Sequence, residues 1–441
     1  MASLILTGPS RTFLPPGEGV RFDGRHAVVV GAGRSGRAVA LLLAHRGAQV
    51  SLLERDLAVV DAAYEAQAKE LGVTLVQGEM SVDRFCGADL VSPSPGIAVA
   101  KLLPLLPKDC EVLGELELAS RCVSEPILAV TGSNGKTTTV TIAARMLEHI
   151  GRKVFLGGNI GTPLAEYVLT GERADVLVLE VSSFQLQTCE TFRPRVAVLL
   201  NFSANHLDYH RDMDEYLAAK MRLFKCQAAD ELAVLPASLR SLLADRPEIG
   251  SRVAWFEARD RFRCPGLPGM HNQANMEAAF LACEALGVTE AEAQSALEGF
   301  TTLPHRLELV SEKGGVRYVD DSKATTVEAL RAALESCDRP VLLLAGGVFK
   351  GGDLAALASL LRRKAKAVAL FGASREVFEA AWGGVADLSW HATLEPAVRR
   401  LAGLAAPGDV VLLSPATASF DLYRDYKHRG DDFARIVEAL P

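Results

Sequence analysis

A strand-like run, Ile127 to Val130, leads into Thr131-Gly132-Ser133-Asn134-Gly135-Lys136-Thr137-Thr138, and a helix-like segment, Thr139 to Ile150, follows. Small residues in such a loop let backbone N–H groups turn inward around phosphate oxygens, and the start of the helix adds positive potential. Lys136 supplies a full charge for β- and γ-phosphates, and Thr137 a hydroxyl for Mg2+. Gly132 stands three residues before Gly135, so the spacing is shorter than the usual G-x-x-x-x-G-K-[ST]. A plain turn ending in Gly-Lys-Thr is the bland alternative. The strand before and the helix after favour a nucleoside triphosphate site.

Such a site needs an acid for its metal. The run Ala174-Asp175-Val176-Leu177-Val178-Leu179-Glu180 ends a buried strand on a carboxylate, as in a Walker-B arrangement. The next strand, Val196 to Asn201, runs towards Asn205-His206-Leu207-Asp208-Tyr209-His210. His206 and His210 have the i,i+4 spacing of a zinc pair, but the Glu expected after the first His is missing, and Mg2+ prefers oxygen ligands. Glu180 and His206 are therefore expected to face the nucleotide, and His210 to be a solvated loop residue.

Near the N-terminus, Gly31-Ala32-Gly33-Arg34-Ser35-Gly36 follows a strand, opens a helix, and is followed by the strand-end acid Glu54. That is a dinucleotide fingerprint in its proper context. Its physics requires only a diphosphate on a helix N-terminus and an acid near a ribose, which a UDP-sugar satisfies as well as NAD. Ser94-Pro95-Gly96-Ile97, after the strand Asp89 to Ser92, either closes over the same ligand or is an ordinary Pro/Gly turn.

Three further strands end in polar loops of similar character. Val316 to Asp320 leads to Asp321-Ser322-Lys323-Ala324-Thr325, Val341 to Ala345 to Gly346-Gly347-Val348-Phe349-Lys350, and Val410 to Leu413 to Ser414-Pro415-Ala416-Thr417-Ala418-Ser419-Phe420-Asp421. In an open parallel sheet ligands sit outside the carboxyl ends of the strands, so these loops suit a small anionic substrate and nucleotide phosphates.

The elements that must position these residues are short Val/Leu/Ala runs alternating with helix-period segments. Continuous apolar runs suit parallel strands buried on both faces, and the alternation predicts an α/β fold. With 441 residues the chain exceeds one ordinary core. Three domains are expected, 1–113, 114–303 and 304–441, each built on a parallel sheet. The net charge of −7 and the lack of a long Lys/Arg run argue against a nucleic-acid partner. No stretch of about 18 apolar residues suggests a membrane span, and residues 1–20 lack the pattern of an export signal. The eight cysteines form no CxxC pair and read as small buried hydrophobes of a reducing cytoplasm.

In its phosphate loop, in His271-Asn272-Gln273-Ala274-Asn275 and in Pro304-His305-Arg306-Leu307-Glu308, the chain resembles the Mur ligases, ATP-dependent amide synthetases of cell-wall precursor assembly. Glu180-Val181-Ser182-Ser183-Phe184-Gln185-Leu186, the Asp321 to Thr325 run and Ser414 to Phe420 resemble the family's D-glutamate-adding branch. The resemblance implies a Rossmann-like N-terminal domain, a central P-loop-type ATPase domain and a Rossmann-like C-terminal domain. It implies a UDP-sugar held by Gly33, Arg34, Ser35, Arg55, Ser94, Asn159 and His206. ATP is assigned to Gly132, Ser133, Asn134, Gly135, Lys136, Thr137 and Thr138 of the loop, with Asn275, Arg306, Asp321 and Lys323. Mg2+ falls to Thr137, Glu180 and His206. D-glutamate falls to Thr325, Lys350, Ser419, Phe420 and Tyr426. Lys220 stands where the family carries a carbamylated lysine that bridges to the metal; from the residues alone it reads as an exposed lysine on a helix.

The implied reaction couples D-glutamate to UDP-N-acetylmuramoyl-L-alanine through an acyl phosphate, with Lys136, Glu180, His206, Lys220 and Lys350 as its catalytic set. A cytoplasmic monomer without nucleic-acid partner or membrane insertion is expected. The rivals are a ligase of the same family with another acceptor amino acid and, from the glycine turn, an NAD-dependent oxidoreductase.

Overall fold

Strands of consecutive Val, Leu and Ala residues have no polar face to offer water, so they are stable only when covered on both sides. The computed structural model, which describes residues 20–203, 209–244, 246–267, 269–300 and 304–440, arranges them in three sheets. The first contains β1 (His26–Val30), β2 (Gln49–Glu54), β3 (Thr74–Gln77), β4 (Leu90–Pro93) and β5 (Glu111–Val112), in the order β3-β2-β1-β4-β5. The second contains β6 (Ile127–Thr131), β7 (Val154–Gly158), β8 (Val176–Glu180), β9 (Val196–Leu199), β10 (Leu232–Pro236) and β11 (Arg252–Phe256), in the order β11-β10-β9-β6-β8-β7. Both sheets are parallel throughout.

The third sheet contains β12 (Glu308–Lys313), β13 (Val316–Asp320), β14 (Val341–Gly346), β15 (Ala365–Phe371), β16 (Asp387–His391) and β17 (Val410–Leu413), ordered β12-β13-β17-β14-β15-β16. Only β12 pairs antiparallel, with β13. Its sequence, Glu308-Leu-Val-Ser-Glu-Lys, lacks the apolar run of the other strands because it forms a half-exposed edge. Each sheet has a switch point where the chain reverses its direction of progress: between β1 and β4, around β6, and around β17. The glycine turn, the phosphate loop and the 414–421 loop leave from these points, where a crevice opens outside the strand ends.

The cores show which sheets share their packing. One hydrophobic cluster runs without a break from Val29 and Leu52 of the first sheet to Ala129, Leu177 and Leu235 of the second. It passes through Leu113, Leu116, Leu118 and Ala119 of the connecting segment. The helices Arg34–His45, Glu115–Ser120 and Leu164–Thr170 pack on one another between the two sheets. The third sheet has separate clusters on its two faces.

No described helix is long and apolar enough to cross a membrane. All eight cysteines are free, but only Cys189, Cys264 and Cys283 are buried, and Cys86 is exposed. The reading of the cysteines as uniformly buried therefore holds for part of the set.

Glu117 locks the connecting segment in place. Its buried carboxylate accepts from the backbone N–H groups of Glu190, Thr191 and Phe192, each at 3.0 Å, and from the Thr191 hydroxyl, and it pairs with Arg121 at 2.6 Å. Removing it strands several buried donors at once. Glu117→Ala is expected to lower stability by about 3 kcal/mol, read as a drop in the urea midpoint.

Candidate active site

The phosphate loop is shaped by β6 on one side and by the end of β9 on the other. Gly132 (φ 157°) and Gly135 (φ 82°) take conformations that disfavour a side chain, and a Cβ on Gly135 would lie 2.5 Å from Asn275 Oδ1. Asn201, just beyond β9, pins the loop: its Oδ1 accepts from Asn134 N at 2.9 Å, and its Nδ2 donates to Asn134 O at 3.1 Å. Ser133 is tied to the Ser203 carbonyl at 3.0 Å. Among the residues passed over from sequence, Asn201 has the plainest signal, since it follows a strand running parallel to β6.

Lys136 begins the helix Lys136–His149 and folds back to donate to the carbonyls of Gly132 (2.9 Å) and Ser133 (3.0 Å). The Thr137 hydroxyl donates to Glu180 Oε2 at 2.7 Å, and Asn159 Nδ2 donates to Glu180 Oε1 at 2.8 Å. From the third sheet, Lys323 Nζ reaches Thr137 Oγ1 at 3.0 Å, and the Thr326 hydroxyl reaches Asn134 Oδ1 at 3.3 Å. These residues line one cavity of about 300 Å3, together with Ser133, Thr138, Asn275, Arg306, Asp321, Thr325 and Tyr426. Leu267, Phe300, Leu307, Ala329, Ala332 and Ala333 form its apolar wall, suited to a nucleobase.

The charges in this cavity do not balance. Burial pushes the pKa of Lys136 down and that of Lys323 down to about 7, and it lowers that of Arg306, whose buried Nε has no hydrogen-bond partner among the described residues. Against these cations stand Glu180 and Asp321; burial raises the Asp321 carboxyl to about 7 despite the Ser414 hydroxyl that donates to it at 2.8 Å. Buried charge without a partner is costly, so a polyanion is the chemical complement of this donor set. The Thr137–Glu180 pair supplies the oxygen ligands Mg2+ prefers.

Two readings made from sequence are corrected here. Lys220, expected on an exposed helix face, is 1% exposed; its Nζ donates to Gly132 O at 3.1 Å and lies 4.4 Å from the centre of the Tyr216 ring. The helix Met213–Met221 turns this lysine inward under the phosphate loop, and burial drives its pKa well down. His210, expected in solvent, is also 1% exposed, with Nε2 2.8 Å from Ser183 Oγ and its ring against Phe184 and Tyr216. His206 lies outside the described residues.

Arg306 is aimed by its neighbour. His305 adopts φ +62°, its Nδ1 lies 2.7 Å from Asp320 Oδ2, and its carbonyl accepts from Lys323 N at 3.1 Å. The Asp320 carboxylate raises the His305 pKa. A second brace is Arg429, buried, whose guanidinium donates to Ser322 Oγ (2.9 Å), Ser322 O (2.8 Å) and Thr417 O (3.1 Å), joining two of the strand-end loops. Neither brace was singled out from sequence.

The third sheet's remaining loops meet through Val348 and Ala418, whose backbones pair at 2.9 and 3.0 Å. This sets Lys350 Nζ 5.3 Å from the Phe420 ring centre, with Ser419 buried beside it. Tyr426 instead faces the phosphate cavity, its ring 5.2 Å from Lys323 Nζ.

At the first sheet, Gly33 caps the helix Arg34–His45, which carries Ser35 in its first turn, and Ser94 Oγ donates to Gly31 O at 3.0 Å. Gly36 has no room for a side chain, since a Cβ there would lie 1.9 Å from Gly31 O. Glu54 Oε2 accepts from Ala32 N at 2.6 Å, so this acid is engaged by the turn itself. Arg55 pairs with Glu79 at the surface, at 2.8 Å. Arg34 and Asn159 are drawn to the second sheet, Asn159 onto Glu180 and Arg34 onto Glu166.

Residues 130–263 match the Mur ligase middle domain, and residues 305–417 match the Mur ligase, glutamate ligase domain. The chain is 57% identical over 423 residues to a UDP-N-acetylmuramoylalanine–D-glutamate ligase of Oleidesulfovibrio alaskensis, covering 95% of this chain and 94% of that one. It is 59% identical over 425 residues to the ligase of the same name from Nitratidesulfovibrio vulgaris, covering 96% and 98%. Among solved structures, the MurF ligase of Thermotoga maritima in complex with ADP shares the fold, with a TM-score of 0.61 at 21% identity over 94% of this chain and 96% of that one.

The depressed pKa of Lys323 has a measurable consequence. Between pH 7 and the ordinary lysine range the unfolded chain holds this proton more firmly than the folded one, so Lys323 adds stability as pH rises through that window. A phosphate group beside Lys323 restores its charge. ADP binding at pH 8 is therefore expected to take up protons, and at pH 6 this uptake vanishes. Calorimetry in buffers of different ionisation enthalpy measures it, and Lys323→Met should reduce the uptake at pH 8.

Proposed function

This chain belongs to the Mur ligase family, and we propose that it joins D-glutamate to UDP-N-acetylmuramoyl-L-alanine in peptidoglycan biosynthesis, converting ATP to ADP and phosphate. The observation that carries the chemistry is the half-buried cation cluster around the phosphate loop, faced by the Thr137–Glu180 pair. The choice of acceptor is supported by relatives of that name that align along nearly the whole chain.

The L-alanyl carboxylate attacks the γ-phosphorus in line, forming an acyl phosphate and releasing ADP. The amine of D-glutamate then adds to the acyl carbon, and the tetrahedral intermediate collapses to the amide and phosphate. Lys136, Lys323 and Arg306 hold the phosphate oxygens and offset the charge that develops on them. Thr137 and Glu180 would hold Mg2+, which supplies further neutralisation of the triphosphate, with His206 and a carbamate on Lys220 assigned to it as well. Lys220 supports that assignment because burial favours its neutral amine, the form to which carbon dioxide adds.

We assign residues 1–113 to the sugar nucleotide, 114–303 to ATP, and 304–441 to D-glutamate and part of ATP. In the last of these, Lys350 with Ser419 and Phe420 receives the amino acid, and Thr325 and Tyr426 approach it from the phosphate cavity they line. No covalent bond to the protein is required, so positioning and electrostatics carry the rate. The acyl phosphate is sensitive to water, which favours a site that closes around it. Eight free cysteines fit a cytoplasmic location, and a monomer completes the reading.

Phosphate release with UDP-N-acetylmuramoyl-L-alanine, compared among D-glutamate, L-glutamate, L-lysine and diaminopimelate, tests the proposal. Release is expected with D-glutamate alone, and release only with another amino acid would overturn the acceptor while sparing the ligase class. Lys136→Ala should cut turnover by at least about 100-fold without moving the melting temperature. Near-normal turnover in that variant removes the phosphate site from the mechanism.

A further inference from the structure

Arg34 begins the helix that follows the glycine turn, yet its guanidinium faces the second sheet. Nε and Nη2 each lie 2.9 Å from a Glu166 carboxylate oxygen, a two-pronged pairing. Nη1 donates to Gly161 O at 2.7 Å, and Nη2 reaches Thr162 Oγ1 at 3.3 Å. The partners belong to the turn after β7 and to the helix it opens.

That turn is held at its other end by Glu180. Asn159 N donates to Glu180 O at 2.8 Å, and Asn159 Nδ2 to Glu180 Oε1 at 2.8 Å. Gly158 (φ 94°) lets the backbones meet, since a Cβ there would lie 2.5 Å from Glu180 O. The turn closes on itself through Gly158 N and Thr162 O at 3.0 Å. A short glycine-bearing segment is thus fixed at one end by Glu180 and at the other by Arg34.

We propose that Arg34 is a positioning residue that clamps the 158–162 turn and thereby holds Asn159 and Glu180 in the geometry needed for Mg2+ and nucleotide. It acts through the turn and contacts neither ligand. The inference rests on the ligase reading for its relevance to catalysis, but the clamp itself is tested by binding.

The experiment measures ADP affinity by calorimetry at several Mg2+ concentrations, the KM for UDP-N-acetylmuramoyl-L-alanine, and the melting temperature. The proteins are the wild type, Arg34→Met, Asn159→Ala and the double variant. Asn159→Ala is expected to weaken Mg2+-dependent ADP binding by about tenfold, the usual effect of losing a partner one step removed from a metal ligand, and Arg34→Met to weaken it in the same direction by at most as much. The KM for the sugar nucleotide should change less than about twofold. The double variant should bind ADP about as weakly as Asn159→Ala alone, because both changes release the same carboxylate. Unchanged ADP binding with a raised KM would make Arg34 a substrate ligand and overturn the proposal. Unchanged values of both, or additive losses in the double variant, would reduce it to a surface ion pair. Wild-type ADP binding without D-glutamate-dependent phosphate release would count against the acceptor reading and leave the clamp standing.

Discussion

Gathering several half-buried cations around two carboxylates, as counted among the described residues, is the constraint to which the rest of the molecule answers. Lys136, Lys323 and Arg306 line the cavity and Lys220 lies behind it, while Glu180 and Asp321 are the acids facing them. Two lysines meet the problem by donating to the same carbonyl, that of Gly132. Arg306 keeps a buried Nε without a partner among the described residues. A loop in open water would relax such an arrangement by swinging the side chains outward. Here the strands behind it are covered on both faces, and the loop is pinned by Asn201 and Ser203, so the charges stay where a triphosphate needs them. The preorganisation resides in the scaffold, and its cost is offset when a polyanion enters.

The same logic separates the junctions between sheets. The first two sheets share one apolar cluster, reinforced by Glu117 and its bonds to residues 190–192. Parting them would expose that core. The third sheet carries its own clusters and meets the phosphate loop through hydrogen bonds of Lys323 and Thr326. Water can replace such bonds at small net cost, so a polar junction opens more readily than an apolar one. A nucleotide bound at this junction would add bonds on both sides of it.

The fold was legible wherever burial forces a simple pattern. The run at β17 has the bounds read from sequence, because a strand covered on both faces must be apolar throughout. β12 escaped because an exposed edge imposes no such rule. Among the site residues, the phosphate loop and Glu180 announce themselves by local spacing. Lys220 and His210 were misjudged because whether a helix or loop turns a polar residue inward is decided by what lies above it, here the phosphate loop and Ser183. Arg429 and the pairing of His305 with Asp320 join partners far apart in sequence, and no local pattern encodes them.

Repeating one architecture three times solves a geometric problem. A parallel sheet offers a crevice at its switch point, and each crevice can hold one reactant by its charged end. Activating a carboxylate with ATP and coupling it to an amine brings three reactants together, so three such grips converge on one volume. The apolar seam fixes the first grip against the second, and Arg34 ties their loops together. The third grip is kept intact by Arg429, which joins the 321–325 and 414–421 loops, and by the Val348–Ala418 pairing, which adds the loop after β14. It can therefore approach as a unit without losing its own shape. Rigid sites on separate sheets suit a sequential reaction with a water-sensitive intermediate, since each scaffold can orient its own reactant before the bond forms.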